Sequence, residues 1–288
     1  ERRNRDFFEI SIAFYGELWH ANINMYEMKG KDMNPVKVRN VEIGTGMPKI
    51  CVPIVGRTKE AVLEAAAGIK ETKAHIAEWR VDWYEDIFDS GKMQETLKEL
   101  RSVLGEMPLL FTFRTRKEGG EREADTEDYI RLNLSAVETG LIDLVDVELF
   151  TGNQAVKAVI ETARNKGVKT VVSSHDFEKT PSKEEIVSRL RKMQEIGADL
   201  PKIAVMPRSR KDVLTLLAAT EEMTSTYADR PIITMSMSGI GSISRLCGEV
   251  FGSALTFGAA GQSSAPGQMA VEDLAEGLEL IHRGTGAF

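Results

Sequence analysis

From about residue 48 onwards the chain alternates between short apolar runs and longer amphipathic stretches, and this alternation occurs eight times. Short apolar runs rich in β-branched residues are typical of buried strands, whereas the longer stretches repeat their apolar positions with the period of a helix. The runs predict strands at Lys49 to Val55, Ile76 to Asp82, Pro108 to Arg114, Leu141 to Leu149, Val168 to Ser173, Pro201 to Met206, Pro231 to Ser236 and Ala254 to Gly258.

Helical periodicity fills the intervals between these strands. The start of one helix is marked by Ser182, which precedes Glu185 at the spacing of a capping box. The predicted helices are Thr58 to Thr72, Met93 to Leu104, Asp125 to Thr139, Asn153 to Asn165, Ser182 to Ile196 and Lys211 to Thr226, with shorter ones near Ser242 to Phe251 and Val271 to Ile281.

This strict alternation of strand and helix predicts an α/β fold with parallel strands, namely a (β/α)8 TIM barrel. An open doubly wound sheet is the alternative, but no GxGxxG turn follows a strand to support a nucleotide-binding version of it. Residues 36–46 hold a short alternating run and a Gly-Thr-Gly turn. We expect them to form an extra β-hairpin that closes one end of the barrel.

Residues 1–32 have a different character, because they are rich in aromatic side chains and show no clear period. We expect them to be an N-terminal extension outside the barrel. One hypothesis is that translation naturally starts at Met33, so that residues 33–288 form a single (β/α)8 domain.

Charge and composition exclude several kinds of partner. The 37 Lys and Arg residues against 44 Asp and Glu give a net charge of −7, which provides no basic field for nucleic acid. No apolar run is long enough to span a membrane. The two cysteines, Cys51 and Cys247, lack CxxC spacing and neighbouring histidines, so neither a zinc site nor a disulfide is predicted. These features fit a cytoplasmic protein without nucleic-acid or membrane partners.

Several predicted strands carry charged side chains at every second position. Because side chains alternate between the two faces of a strand, Glu78, Arg80 and Asp82 share one face. A parallel strand covered by helices has no solvated outer face, so we expect these charges to point into the barrel. The same spacing directs inward the side chains of Arg114, Asp146, Glu148, Ser173 and His175.

Internal salt bridges that only hold the barrel together are the alternative interpretation of Glu78, Arg80, Asp146 and Glu148 taken one by one. For the whole set we favour a functional cluster. Unpaired ions inside a barrel are too costly to persist, and paired polar clusters there usually serve a site.

His175 and Lys202 are the candidate reactive groups of these strands. Catalytic groups of a barrel lie at the C-terminal ends of its strands, and of the four histidines only His175 ends a strand. It is therefore the candidate general acid or base, with a purely structural histidine as the alternative. Lys202 shares the face of Ala204, but by pattern alone a lysine near a strand start is more often an exposed flank.

Seven segments, in order and with similar spacing, resemble type I 3-dehydroquinate dehydratase, and the resemblance runs from about residue 36 to residue 283. The segments are Glu78-Trp79-Arg80-Val81-Asp82, Phe111-Thr112-Phe113-Arg114 with Lys117-Glu118-Gly119-Gly120, Ser174-His175-Asp176-Phe177, Pro201-Lys202-Ile203-Ala204-Val205-Met206-Pro207, Met235-Ser236-Met237-Ser238, Ser244-Arg245 and Ser264-Ala265-Pro266-Gly267-Gln268.

The resemblance implies a cofactor-free lyase of the shikimate pathway, which removes water from 3-dehydroquinate to give 3-dehydroshikimate. It implies that Lys202 forms a Schiff base with the substrate ketone, that His175 moves protons and that Glu118 orients His175. The positions matching the family's substrate-binding residues are Glu78, Arg80, Arg114, Arg245, Ser264 and Gln268. It further implies a homodimer and no metal.

The residue types suit this chemistry. A protonated imine draws electrons from the neighbouring carbon without any cofactor. A lysine with an ordinary pKa near 10.4 is almost entirely protonated at neutral pH, so we expect buried cations such as Arg80, Arg114 or Arg245 to lower the pKa of Lys202. A class I aldolase and a non-catalytic carboxylate sensor are the alternatives, and the presence of Lys202, His175 and Glu118 together argues against the sensor.

Overall fold

The structure, a computed structural model, describes residues 33–261 and 264–286. Its centre is a sheet of eight parallel strands whose hydrogen-bonded order is β10-β3-β4-β5-β6-β7-β8-β9. A parallel bridge between Ile232 and Ser253 joins the two outer strands just before they begin, so that the sheet closes into a barrel. The strands are β3 (Lys49–Ile54), β4 (Ile76–Arg80), β5 (Leu109–Thr112), β6 (Leu144–Glu148), β7 (Lys169–Asp176), β8 (Leu200–Val205), β9 (Ile233–Ser236) and β10 (Leu255–Phe257).

Helices connect the strands on the outside, as the sequence pattern predicts. Where they begin, a side chain commonly accepts a backbone N–H that has no partner within the helix, as Asp89 and Asp125 do. The helices are α1 (Lys59–Lys70), α2 (Ser90–Leu104), α3 (Thr126–Glu138), α4 (Asn153–Asn165), α5 (Lys183–Glu195), α6 (Arg210–Glu222), α7 (Ile243–Leu246), α8 (Gly248–Phe251) and α9 (Val271–Gly284).

Several boundaries differ from those predicted. Strand β7 continues to Asp176, so His175 lies within the strand instead of after it. The helix expected at Ser242 to Phe251 consists of two single turns that are separated at Cys247. The last turn expected in α6 is a π-helical segment, Met223–Tyr227. Periodicity does not resolve such changes of winding, because the same side chains remain buried.

The predicted helix cap at Ser182 is confirmed, since its hydroxyl oxygen accepts a hydrogen bond from the Glu185 N–H at 3.3 Å. The Glu185 carboxylate pairs with Arg189 at 2.7 Å. A full reciprocal capping box forms instead at the start of α6, between Ser209 and Asp212.

Alternation along the strands divides the apolar side chains into two layers. Trp79 and Phe111 belong to the outer layer beneath the helices, where their ring centroids lie 5.8 Å apart in an edge-to-face arrangement. Leu110 and Leu144 belong to the inner layer. The inward and outward faces predicted for the strands are therefore confirmed.

The hairpin predicted at residues 36–46 is also present, as antiparallel strands β1 (Val36–Val38) and β2 (Val41–Ile43). Its apolar side chains join the inner layer next to residues at the beginnings of the strands, among them Ile76 and Leu200. Burial of each such side chain contributes about 1.5–3 kcal/mol. The hairpin thus closes the N-terminal end of the barrel and leaves the other end for chemistry.

The extension predicted at residues 1–32 lies outside the described residues, so the division of the chain into an extension and one domain remains a prediction. Among residues 33–261 and 264–286, no helix is long and apolar enough to cross a membrane.

Candidate active site

A cavity lies at the C-terminal ends of the strands, and the nine catalytic and substrate-binding residues predicted from the sequence line it. Barrel strands run in parallel, so side chains at their C-terminal ends converge at one mouth. The predicted residues along its wall are Glu78, Arg80, Arg114, Glu118, His175, Lys202, Arg245, Ser264 and Gln268.

Lys202 points into the barrel from β8 and is buried, so it is not the exposed flank that its position near a strand start suggests. Its Nζ lies 3.6 Å from Asp146 Oδ2 and 3.9 Å from Glu78 Oε1. The same atom stands 4.3 Å from the centroid of the Phe257 ring. From the sequence we expect cations beside this amine, whereas the structure places two carboxylates there.

His175 lies in β7 beside Ala204 of β8, so it borders the strand that carries Lys202. Its Nδ1 is 3.0 Å from Glu118 Oε2, and the same oxygen accepts the His175 backbone N–H at 2.9 Å. This double contact fixes the orientation of the imidazole and occupies Nδ1, so that the other ring nitrogen, Nε2, points away from Glu118.

The surroundings of His175 and Glu118 shift the pKa values of both side chains. Burial and the cations Arg114, Lys202 and Arg80 lower the pKa of His175 well below its usual value, so its imidazole is neutral at neutral pH. Burial, opposed by Arg114, raises the pKa of the Glu118 carboxyl to about 8. A neutral imidazole is the form that can accept a proton.

Arg114 joins three carboxylates, two of them from β6 and one from the turn that follows β5. Its guanidinium nitrogens lie 2.8 Å from Asp146, 2.9 Å from Glu148 and 3.5 Å from Glu118. It also donates to the Ser173 hydroxyl at 2.9 Å. Because all these groups are buried, loss of the arginine would leave several carboxylates without a counter-charge.

Arg80 is held by a bidentate pair with Asp82, with both N–O distances at 2.8 Å. Asp82 follows β4 in a single 3₁₀ turn instead of continuing the strand. Its carboxylate also accepts the backbone N–H groups of Arg114 at 3.4 Å and Glu121 at 3.0 Å. Asp82 thereby fastens the loop that carries Glu118.

Arg245 differs from the other two cavity arginines in its partners. Within the described part of the chain, its guanidinium meets only neutral acceptors: the Met235 sulfur at 3.7 Å and the backbone oxygens of Phe257 at 3.4 Å and Pro266 at 3.2 Å. Its buried Nε has no hydrogen-bond partner among these residues. Burial lowers the pKa of Arg245 to about 10, so it stays charged at neutral pH. Its guanidinium is ready to receive a carboxylate from a ligand.

Three residues that follow β10, namely Ser264, Ala265 and Gln268, line the cavity. The Ser264 backbone oxygen accepts from Arg80 at 3.3 Å, and the Ser264 N–H donates to the Gln268 side chain at 2.9 Å. Gly267 has φ +78°, and a Cβ there would stand 2.4 Å from the Ser238 carbonyl oxygen. Only glycine at this position lets the loop approach the Ser238 backbone so closely.

Some residues of the site were not assigned a function from the sequence. The pattern places Asp82 and Asp146 on inward faces, but the hydrogen bonds that they make follow only from the structure. Phe257 and the two methionines Met235 and Met237 line the cavity as well. The alternation of side chains along its strand indicates that Phe257 faces the interior, but nothing in the sequence indicates that its ring lies next to Lys202.

No group of His, Cys, Asp or Glu side chains is arranged to hold a metal ion in residues 33–261 and 264–286. The resemblance in the sequence implies that no cofactor is needed.

Comparisons with known proteins agree with the resemblance in the sequence. The chain is 56% identical over 248 residues to the 3-dehydroquinate dehydratase of Clostridioides difficile, covering 86% of this chain and 97% of the relative. It is 57% identical over 248 residues to the Bacillus licheniformis protein of that name, covering 86% and 98%.

A crystal structure of type I 3-dehydroquinate dehydratase from Clostridium difficile, with covalently modified comenic acid, superposes with a TM-score of 0.86 at 55% identity and covers 88% of this chain and 99% of that one. The model of the family described as type I 3-dehydroquinase matches residues 50–285. The chain belongs to the type I 3-dehydroquinase family.

Proposed function

We propose that this chain is a 3-dehydroquinate dehydratase, a hydro-lyase of the shikimate pathway that converts 3-dehydroquinate to 3-dehydroshikimate through a Schiff base on Lys202. The observation that carries this proposal is that a buried amine and a neutral imidazole face one cavity in which Arg245 pairs with no carboxylate of the described residues. Such a cavity suits a small ketone that bears a carboxylate.

The first step is imine formation. Nζ of Lys202 attacks the ketone carbon as the neutral amine, and the two protons that the ammonium gives up in all pass to the ketone oxygen, which leaves as water. The resulting protonated nitrogen is an electron sink for the neighbouring carbon. Burial of the amine beside the Phe257 ring supports this role, because water that could hydrolyse the imine is excluded.

The second step is proton removal and loss of hydroxide. His175 takes a proton from the carbon next to the iminium carbon, and the electron pair moves towards nitrogen. As the pair returns, the bond to the hydroxyl one carbon further on breaks, and His175 gives back the proton so that water leaves. Hydrolysis of the imine then releases product and free Lys202. The 3.0 Å contact between Glu118 and Nδ1 supports this double role, since it keeps the ring in one orientation.

Arg245 binds the substrate carboxylate in this proposal. A bidentate guanidinium resists the small displacements that would spoil proton transfer to His175. Arg80 and Gln268, through their contacts with Ser264, hold the loop that covers the bound substrate.

Reduction of the protein with borohydride in the presence of 3-dehydroquinate tests the proposal, because borohydride converts an imine to a stable amine. Peptide mass spectrometry should find the adduct on Lys202, and Lys202→Ala should form none and lose turnover by at least about a thousandfold. A folded protein that forms no adduct would have another substrate or another mechanism.

We further propose a cytoplasmic homodimer. The apolar side chains of Val250 and Leu280 are 51% and 65% exposed, and their helices are joined by a hydrogen bond of 2.7 Å between Glu249 and His282. Exposed apolar side chains on adjoining helices suit contact with a second copy. Analytical ultracentrifugation should find a dimer that weakens in the Val250→Asp Leu280→Asp variant; a monomeric parent protein would refute the proposal.

A further inference from the structure

We infer that Asp146 is a positioning residue that acts as the counter-ion of the Lys202 nitrogen, both in the free enzyme and in the imine. The inference rests on the proposed Schiff-base function and adds a residue to it. Asp146 is fully buried, and its Oδ2 lies 3.6 Å from Nζ.

The two oxygens of Asp146 have different surroundings. Oδ1 accepts hydrogen bonds from Arg114 at 2.8 Å and from the Ser173 hydroxyl at 2.7 Å. Oδ2 is buried without a hydrogen-bond partner among the described residues. A buried carboxylate oxygen without a donor is unfavourable unless a nearby positive charge compensates it, and Lys202 supplies that charge.

Glu78 is the other carboxylate near the amine, but it fits this role less well. Its Oε1, which lies 3.9 Å from Nζ, already accepts a hydrogen bond from Thr112 at 2.9 Å. Asp146 Oδ2 is closer and has no such donor. The geometry therefore favours Asp146 as the anion that stays paired with the Lys202 nitrogen throughout the reaction.

Its orientation is fixed from three strands. Asp146 belongs to β6, Ser173 to β7 and Lys202 to β8, and Ser173 stands directly beside Lys202 in the strand register. With Oδ1 held by two donors, the carboxylate has no freedom to turn Oδ2 away. Oδ2 is thus aimed at the amine before any substrate arrives.

The charge of the nitrogen explains why a fixed anion is useful. Overall, an ammonium and a ketone give an iminium and water, the amine being neutral only while it attacks, so the nitrogen carries one positive charge before and after the exchange. Only the protonated imine withdraws electrons from the neighbouring carbon, and a neutral imine does so poorly. An anion at this distance keeps the charge on the nitrogen in a site of low polarity.

Asp146→Asn tests the inference, because it removes the charge but preserves the shape and an acceptor for Arg114 and Ser173. The rate of adduct formation on Lys202 would be followed with 3-dehydroquinate and cyanoborohydride, which reduces only protonated imines, across a range of pH. At a cyanoborohydride concentration low enough that reduction limits the rate, less of the imine is protonated in the variant, so we expect the rate of adduct formation to fall about tenfold or more.

The matched control is Asp143→Asn. Asp143 immediately precedes β6, pairs with Arg39 at 2.6 Å and Arg101 at 2.9 Å, and does not line the cavity. It should keep the pH profile of the parent protein even if its thermal stability falls. An Asp146→Asn profile that matches the parent and the control would overturn the inference.

A crystal structure of the reduced wild-type adduct gives an independent test that needs no variant to fold. Asp146 Oδ2 should lie within hydrogen-bond distance of the adduct nitrogen, about 3 Å. An Asp146 turned away from it would refute the counter-ion role. Failure of the parent protein to form any adduct would instead count against the proposed function itself.

Discussion

Glu118 Oε2 accepts the backbone N–H of His175 at 2.9 Å and lies 3.0 Å from Nδ1 of the same residue. One carboxylate oxygen therefore fixes both the main chain and the ring of the proposed proton carrier. This arrangement couples the ionisation of Glu118 to the orientation of His175, and it leads to two predictions about pH.

The first prediction concerns the acid limb of activity. His175 must be neutral to accept a proton, and its pKa is lowered by burial and by Arg114, Lys202 and Arg80. We therefore expect kcat/KM to be maintained as the pH falls to 6.5, the ordinary value for histidine, and to decline only below it. Steady-state rates measured from neutral to acidic pH check this. A decline centred at or above the ordinary histidine value would contradict it.

The second prediction concerns stability. Glu118 has a folded-state pKa of about 8 against an ordinary value of 4.5, so the folded protein binds a proton more tightly than the unfolded chain does. The resulting stabilisation is complete below pH 4.5 and is lost as the pH rises through 8. Glu118→Gln removes this dependence.

Denaturant unfolding of both proteins over the same pH range provides the measurement. The free energy of unfolding of Glu118→Gln should rise relative to the parent protein as the pH increases. A constant difference between the two would show that the Glu118 carboxyl ionises normally.

The third prediction concerns Arg245. Among the described residues it pairs with no carboxylate, so Arg245→Ala leaves no protein anion unpaired and removes only contacts to neutral acceptors and to substrate. We expect KM to increase about ten- to hundredfold, the equivalent of about 1.5–3 kcal/mol for a charged hydrogen bond. Arg131→Ala, at an exposed pair with Asp128, is the control. An unchanged KM would exclude Arg245 as the carboxylate-binding residue.

The fourth prediction concerns the loop over the cavity. Gly267→Ala would place a methyl group 2.4 Å from the Ser238 carbonyl oxygen at a φ of +78°, so the loop must move away. We expect a higher KM and a lower kcat with little change in unfolding temperature. Gly239→Ala is the matched control, because its Cβ would meet nothing within 4 Å. Equal kinetics for the two variants would argue against a covering role of the loop.

The inward direction of the charged residues could be predicted from the sequence because it depends only on the alternation of side chains along a strand. This alternation alone puts Arg80, Arg114 and Asp146 on the interior face, and the structure buries all three. The pattern does not decide the direction of Lys202, since a lysine close to a strand start can face either way until the strand bounds are known. In the structure β8 begins at Leu200, so Lys202 is well inside it.

The pairing among these charges could not be predicted in the same way. Each ion pair depends on distances between different strands, and the period along one strand does not contain them. The sequence therefore does not indicate that Arg114 forms ion pairs with Asp146 and Glu148. Nor does it indicate that Arg245 forms no ion pair with the described residues. The carboxylates beside Lys202 were unexpected for the same reason.

The contact between Lys202 and Glu78 can form only when the barrel has folded. These residues belong to β8 and β4, which are not neighbours in the sheet, so their approach spans the interior of the barrel. The electrostatic surroundings of the nucleophile consequently do not exist in a chain whose sheet is still open. Recovery of imine formation during refolding would thus report the moment of barrel closure, which a signal from helix content alone would precede.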